Sequence, residues 1–269
     1  MSAAHTIIPV HRGSCMRRGT VFTLAGGLLC GGLMLAALQW RGNPDVLWQI
    51  VSQQCVPDQQ QQHNPAPCLA VDLDRGFTLL KDRNGPLQDL LIPTDKVTGI
   101  EDPALGKPWL PHYVALAWKY RSVLSAGLST PVPDRFVSVA INSRYGRSQN
   151  QLHVHIACLR PEVFAALNQS GAHLDEHWQV LPAQLHGHTY TARRLSTQDA
   201  DTQDPLALLR DYVDAQGDSM RGYSLLMTPL GDGGFVLLAT HLALREWNLG
   251  STEELQDVKC GLMKPQQGA

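Results

Sequence analysis

Asn142-Ser143-Arg144-Tyr145-Gly146-Arg147-Ser148-Gln149-Asn150-Gln151-Leu152-His153-Val154-His155-Ile156 is the stretch around which the chain is organised. Its last part alternates with period two. Gln149, Gln151, His153 and His155 share one face of a strand, and Leu152, Val154 and Ile156 share the other. The apolar face buries against a core, so the opposite face presents two imidazoles about 7 Å apart. The loop before it carries amide, hydroxyl and guanidinium donors suited to phosphate, Arg147 and Ser148 among them. A histidine pair beside an oxyanion-binding loop points to phosphoryl or nucleotidyl transfer through a histidine nucleophile. A solvated sheet face or a zinc site is the plainer alternative, and the pair alone does not separate them.

The rest of the chain supplies a body for that strand. With 269 residues, 43% of them hydrophobic, it can bury one large core or two small ones. A net charge of -2 excludes a general nucleic-acid footprint. Residues 77–82 and 87–92 read as two strands about the turn Asn84-Gly85-Pro86, a hairpin with Lys81, Asp82 and Asn84 at its mouth. Residues 136–141 read as a buried strand leading into the loop. Residues 222–227 and 234–240 form a second hairpin around Gly231-Asp232-Gly233. Helices are expected over 45–54, 109–124, 161–167 and 205–213, and a short last one from Ser251-Thr252-Glu253-Glu254. Residues 185–194 concentrate His and Arg, which either hold phosphate or face solvent. No repeat and no linker divides 45–269, so a single α+β domain is expected.

Residues 21–38 contain no charge and span about 27 Å as a helix, close to the thickness of a bilayer core. Arg12, Arg17 and Arg18 precede the run, which places residues 1–20 in the cytoplasm and the remainder outside. An uncleaved anchor is favoured, since no small-residue cleavage signal follows directly. Leu28-Leu29-Cys30 is a poor lipoprotein box because Leu29 is large, and Gly27 with Gly31 is an ordinary feature of a Gly-rich anchor. Outside the anchor stand Cys55, Cys68, Cys158 and Cys260. An even number in an oxidising compartment indicates two disulfides. Cys55–Cys68, closing the polar loop 56–67 at a gain of about 3 kcal/mol, is the favoured pairing, leaving Cys158–Cys260. A buried free thiol at Cys158 is the alternative.

Several motifs then resemble a known family. Leu80-Lys81-Asp82, a turn and Leu90-Leu91-Ile92-Pro93 resemble the first hairpin of the histidine triad (HIT) superfamily. Asn142, the Gly/Ser loop and the two spaced histidines resemble its signature, in the same order. Longer matches resemble the bacterial CDP-diacylglycerol pyrophosphatases across nearly all of residues 45–260. They include Lys81-Asp82-Arg83-Asn84-Gly85-Pro86-Leu87-Gln88, Ile156-Ala157-Cys158-Leu159-Arg160-Pro161 and Gly187-His188-x-Tyr190-x-Ala192-Arg193-Arg194.

The resemblance implies a HIT-like antiparallel sheet with flanking helices, preceded by one transmembrane helix, in a single-pass protein of the bacterial inner membrane with its catalytic domain on the periplasmic side. It implies hydrolysis of CDP-diacylglycerol to CMP and phosphatidate beside the bilayer, without metal or cofactor. His153, in the middle position, is the implied nucleophile, with His155 and Gln151 beside it. Asp82 is implied for the ribose hydroxyls, with Lys81 and Asn84 near it. Arg147 and Ser148 are candidates on the loop side to stabilise the phosphoryl charge, Asn142 stands at the start of the same loop, and His188 and Arg193 are candidates for further phosphate contacts. One departure is plain: the family pattern has three alternating histidines, and here the first is Gln151, which hydrogen-bonds but carries no charge. A broader nucleotide pyrophosphatase or cytidylyl transferase, or a non-catalytic nucleotide- or lipid-binding module, would share these features. The sequence sets no oligomeric state.

Overall fold

A computed structural model describes residues 42–264 of the chain. The chain enters on α1 (Val46–Ile50) and α2 (Val56–Gln62), joined by a π-helical turn, Val51–Cys55. Val51 and Cys55 face inward one turn apart, and Cys55 is disulfide-bonded to Cys68, which ties the helices to β1 (Ala70–Asp72). β2 (Phe77–Lys81) and β3 (Gln88–Pro93) form the first hairpin. The Asp82 side chain closes its turn by accepting the Asn84 N–H at 2.8 Å. α3 (Tyr113–Lys119) precedes β4 (Val137–Ile141), β5 (Val154–Leu159) and α4 (Pro161–Ser170). Then come β6 (Gln179–Val180), β7 (Thr191–Leu195), α5 (Thr197–Thr202) and α6 (Pro205–Ala215). A second hairpin, β8 (Tyr223–Pro229) and β9 (Phe235–Ala243), leads to β10 (Asn248–Leu249), a 3-10 turn over Thr252–Leu255, and β11 (Gln256–Asp257).

All the strands share one sheet, in the order β1-β2-β3-β5-β4-β8-β9-β7-β6, with β10 on β9 and β11 on β5. The pairings are antiparallel. Alternation along the strands sends side chains to two buried faces. Leu79, Leu91, Val139, Val154, Ile156, Leu225 and Leu237 meet Tyr113, Val114 and Ala117 of α3 and Leu206, Leu209 and Val213 of α6 in the larger cluster. The other face is split. At one end Leu80, Leu90 and Ile92 pack on Val51 and Cys55. At the other Ala140, Leu226, Val236 and Leu238 pack on Val163 and Leu167 of α4. Between these two clusters, His155 stands opposite Leu90 on one side and Ala140 on the other.

Several expectations are corrected. The helices are few and short, α6 with 11 residues being the longest among the described residues, and the fold is organised on one antiparallel sheet. Among the described residues no helix is long and apolar enough to cross a membrane. The spanning helix expected over 21–38 lies outside the described residues, and the single-pass inner-membrane placement that depended on it is set aside on this finding. The helix expected over 109–124 keeps its α form only from Tyr113 to Lys119, with a 3-10 turn over Arg121–Ser125. The histidine strand starts at Val154, because the donors ahead of it are taken by loops: Asn150 N–H by the Pro44 carbonyl and Leu152 N–H by the Val97 carbonyl, both at 2.6 Å. The last helix is the 3-10 turn feeding β11. A second disulfide joins Cys158 of β5 to Cys260 just past β11.

Candidate active site

The two histidines are not on a solvated face. His153 is 8% exposed and His155 4%, with their ring centroids 4.8 Å apart and the rings edge to face. His153 Nδ1 lies 2.7 Å from the backbone carbonyl of Gln151. A carbonyl only accepts, so Nδ1 carries the hydrogen and Nε2 keeps its lone pair. Burial, reinforced by the neighbouring His155, pulls the His153 pKa down from 6.5 to about 4. At neutral pH the ring is therefore uncharged, with one nitrogen pair unprotonated, which is what a nitrogen nucleophile requires.

His155 is held differently. Its Nδ1 lies 2.8 Å from Nε2 of Gln88, and the same Nε2 donates at 2.8 Å to Glu253 Oε1. The other carboxylate oxygen accepts from Asn142 Nδ2 at 2.8 Å and lies 3.4 Å from His155 Nε2. Asn142 in turn accepts through Oδ1 from Glu253 N–H at 3.2 Å and Ser251 Oγ–H at 3.0 Å. Burial pushes the Glu253 carboxyl upward, but the neighbouring His155 and the hydrogen bonds from Gln88 and Asn142 outweigh it, so its pKa falls below the usual value. Glu253 and Gln88 are members of this network that the sequence did not reveal. Gln88 is separated from Glu253 by 165 positions, and Glu253 sits in a four-residue run whose local pattern is that of a helix start.

The remaining candidates divide. Asp82 is buried beside Gln88, whose carbonyl accepts the Asp82 N–H at 3.2 Å. Asn84 stands exposed in the turn. Lys81 pairs directly with Asp89 across the hairpin, its Nζ 3.2 Å from that carboxylate. Asp89 is in register with Ile156, so this pair points to the sheet face away from His155. The Arg147 side chain is 3% exposed and its guanidinium is committed to Glu101, at 2.7 and 2.6 Å, and to the Gln149 carbonyl. It is near enough to disfavour charge on His153, but its planar fork serves a buried ion pair. Ser148 is exposed. Gln151 donates through its side chain to the carbonyls of Pro93 and Asp95, at 3.1 and 2.8 Å, so both amide hydrogens are spent and its bearing on His153 is through the backbone.

His188 and Arg193 do not join the pair. His188 Nδ1 donates to Glu254 Oε1 at 2.7 Å, an oxygen that also accepts from the buried Tyr190 hydroxyl at 2.6 Å. Glu253 and Glu254, adjacent in sequence, thus serve separate networks. Arg193, on β7, is in register with Leu237 of β9, and β7 lies four strands from β5, about 19 Å away. Among the described residues no group of three or more His, Cys, Asp or Glu is placed to hold a metal ion.

The sequence model of the CDP-diacylglycerol pyrophosphatase family matches residues 42–264. The chain belongs to the CDP-diacylglycerol pyrophosphatase family. A CDP-diacylglycerol pyrophosphatase of Yersinia pestis is 43% identical to it over 221 residues, 82% of this chain and 86% of the relative. The matched span of the pyrophosphatase family takes in the first hairpin, the loop after Asn142, both histidines and the Glu253 segment.

Proposed function

We propose that this chain hydrolyses the diphosphate of CDP-diacylglycerol, releasing CMP and phosphatidate, through a covalent intermediate on His153. The observation that carries the reading is the hydrogen bond from His153 Nδ1 to the Gln151 carbonyl in a ring that burial keeps neutral. His153 Nε2 attacks the phosphorus attached to cytidine, an N–P bond forms, and the bridging P–O bond breaks with its electron pair leaving on phosphatidate. Water then forms a new P–O bond on the face the phosphatidate left. The N–P bond breaks, CMP departs, and the water's proton goes to solvent. Two displacements let one imidazole serve first as nucleophile and then as leaving group.

Negative charge spreads over the phosphoryl oxygens in each transition state, so donors fixed in advance carry much of the rate. His155, its ring centroid 4.8 Å from that of His153, is one such group. Asp82, buried beside Gln88, fits the ribose hydroxyls. Membership of the family and the 43% identical relative support the substrate assignment.

The test is CMP release from CDP-diacylglycerol in detergent with EDTA present, with His153→Ala run in parallel. Early acid-free quenching and intact-mass measurement should find a cytidylyl adduct on the wild type alone, with CMP release lost in the variant by roughly a thousandfold or more. Turnover that survives His153→Ala would remove the nucleophile from this account.

A further inference from the structure

We infer that Glu253 is a positioning residue: through Gln88 it fixes His155 as the Nε2–H tautomer, so that His155 offers a hydrogen-bond donor, and not a lone pair, to the phosphoryl group on His153. The inference rests on the proposed reaction for its catalytic meaning and on the geometry alone for the tautomer.

The chain of cause begins at Asn142. Its Oδ1 accepts from Glu253 N–H and Ser251 Oγ–H, so its Nδ2 must be the group that faces the Glu253 carboxylate. That carboxylate has only acceptors to offer. Gln88 therefore turns Nε2, not Oε1, toward Glu253 at 2.8 Å, since an amide oxygen there would meet a carboxylate oxygen. The same Nε2 lies 2.8 Å from His155 Nδ1. With one of its hydrogens on Glu253 and the other directed at the ring, Nδ1 must accept. The hydrogen of a neutral His155 then resides on Nε2. Nε2 is buried and has no hydrogen-bond partner, its 3.4 Å approach to Glu253 Oε2 being too poorly aligned to make one. A buried donor without a partner is costly in a folded protein, and it is stabilised when an acceptor arrives. The acceptor of fitting chemistry beside His153 is a non-bridging phosphoryl oxygen.

Burial is essential to this arrangement. Gln88 is fully buried, so no solvent exchange loosens its amide. The two neighbouring imidazoles thereby hold opposite tautomers, His153 with its lone pair on Nε2 and His155 with its hydrogen there. One attacks phosphorus and the other takes the charge that develops on oxygen.

Replacing Glu253 by Gln makes a specific prediction. Asn142 is pinned, so the oxygen of a glutamine at 253 goes to Asn142 and its NH2 turns toward Gln88. Gln88 must then flip and present Oε1 to both neighbours, which drives His155 to the Nδ1–H form. The experiment is long-range 15N–1H correlation on 15N-histidine-labelled full-length protein at pH 7, with His155 assigned by loss of its signals in His155→Asn. Steady-state CMP release is followed on the same samples. The wild type should show Nε2–H at His155. Glu253→Gln should show Nδ1–H, with kcat lowered roughly 10- to 100-fold and KM changed by less than about threefold. Glu253→Asp, which keeps the carboxylate, should retain the Nε2–H form and recover part of kcat. Gln88→Met is the second route if Glu253→Gln does not fold, and it should leave His155 as a mixture of tautomers. An unchanged His155 tautomer in both Glu253→Gln and Gln88→Met would overturn the inference. So would a tautomer change that leaves kcat untouched. Failure of the wild type to release CMP would instead sink the proposed reaction, and the spectra would still decide whether the relay exists.

Discussion

His153 gives this site a pH signature of its own. Its folded pKa of about 4 lies below the ordinary 6.5. Between those values the unfolded chain binds a proton that the native chain does not, so stability rises with pH through that window and falls as pH drops from 6.5 towards 4. The effect is on the order of 3 kcal/mol. Urea unfolding at pH 7 and pH 4.5 should show it, and His153→Gln should flatten the difference. An equal pH dependence in the variant would mean that His153 is not the group responsible. The Gln151 position shows how far residue chemistry was readable. Its identity, a glutamine at the first place of the alternating Gln151, His153, His155 run, was visible in the sequence. The spending of its amide on the Pro93 and Asp95 carbonyls was not, because those partners lie 58 and 56 positions away and local pattern says nothing about them.

Among the elements, the segment from β10 to β11 governs the site. Gly250, at its start, has φ of +70°, and a Cβ there would stand 2.5 Å from the Gly222 carbonyl and 2.9 Å from Ser143 Oγ. Ser143 N–H donates to the Gly250 carbonyl at 2.9 Å, so the same spot joins this segment to the loop after β4. Gly250→Ala should therefore destabilise the fold by about 1–3 kcal/mol and lower CMP release by more than the folded fraction explains, since Asn142 and Glu253 would shift together. Thermal unfolding and activity measured on one preparation separate the two effects, and full activity per folded molecule would argue against the coupling. The two hairpins were legible because Asn84-Gly85-Pro86 and Gly231-Asp232-Gly233 are strong local turn signals between apolar runs. The helix after residue 109 and the one after residue 251 were drawn too long or too regular. In the first, Pro108 and Pro111 and a change to 3-10 geometry shorten the α form, and in the second the chain goes on to pair as β11 against β5.

Taken whole, the described fold belongs to the unit Asn43–Ala269, in which one sheet is buried on both faces by three apolar clusters. Residues 43–269 produced alone under oxidising conditions should unfold in a single cooperative transition and release CMP at a rate within about threefold of the full chain. Two transitions in calorimetry, or an inactive product, would show that the unit does not stand by itself. The strands of the two hairpins, β4 and the histidine strand were readable, since period two and apolar runs are local properties, but the two- and three-residue strands β1, β6, β10 and β11 are too short to carry such a pattern. The strand order was not readable, because neighbours such as β3 and β5, or β5 and β11, are joined across 50 to 100 residues with no trace in composition.

That topology has a consequence for the making of the protein. The proposed nucleophile stands at residue 153, but the carboxylate that reaches its neighbour through Gln88 comes a hundred residues later, on the segment that adds the last strand. A chain still emerging from the ribosome holds both histidines without Glu253 and without Cys260 to bind Cys158. Long-range pairing of this kind forms late and slowly. The hydrogen-bond network around His155 can therefore close only after the last strand has been made, and until then both histidines stand without it.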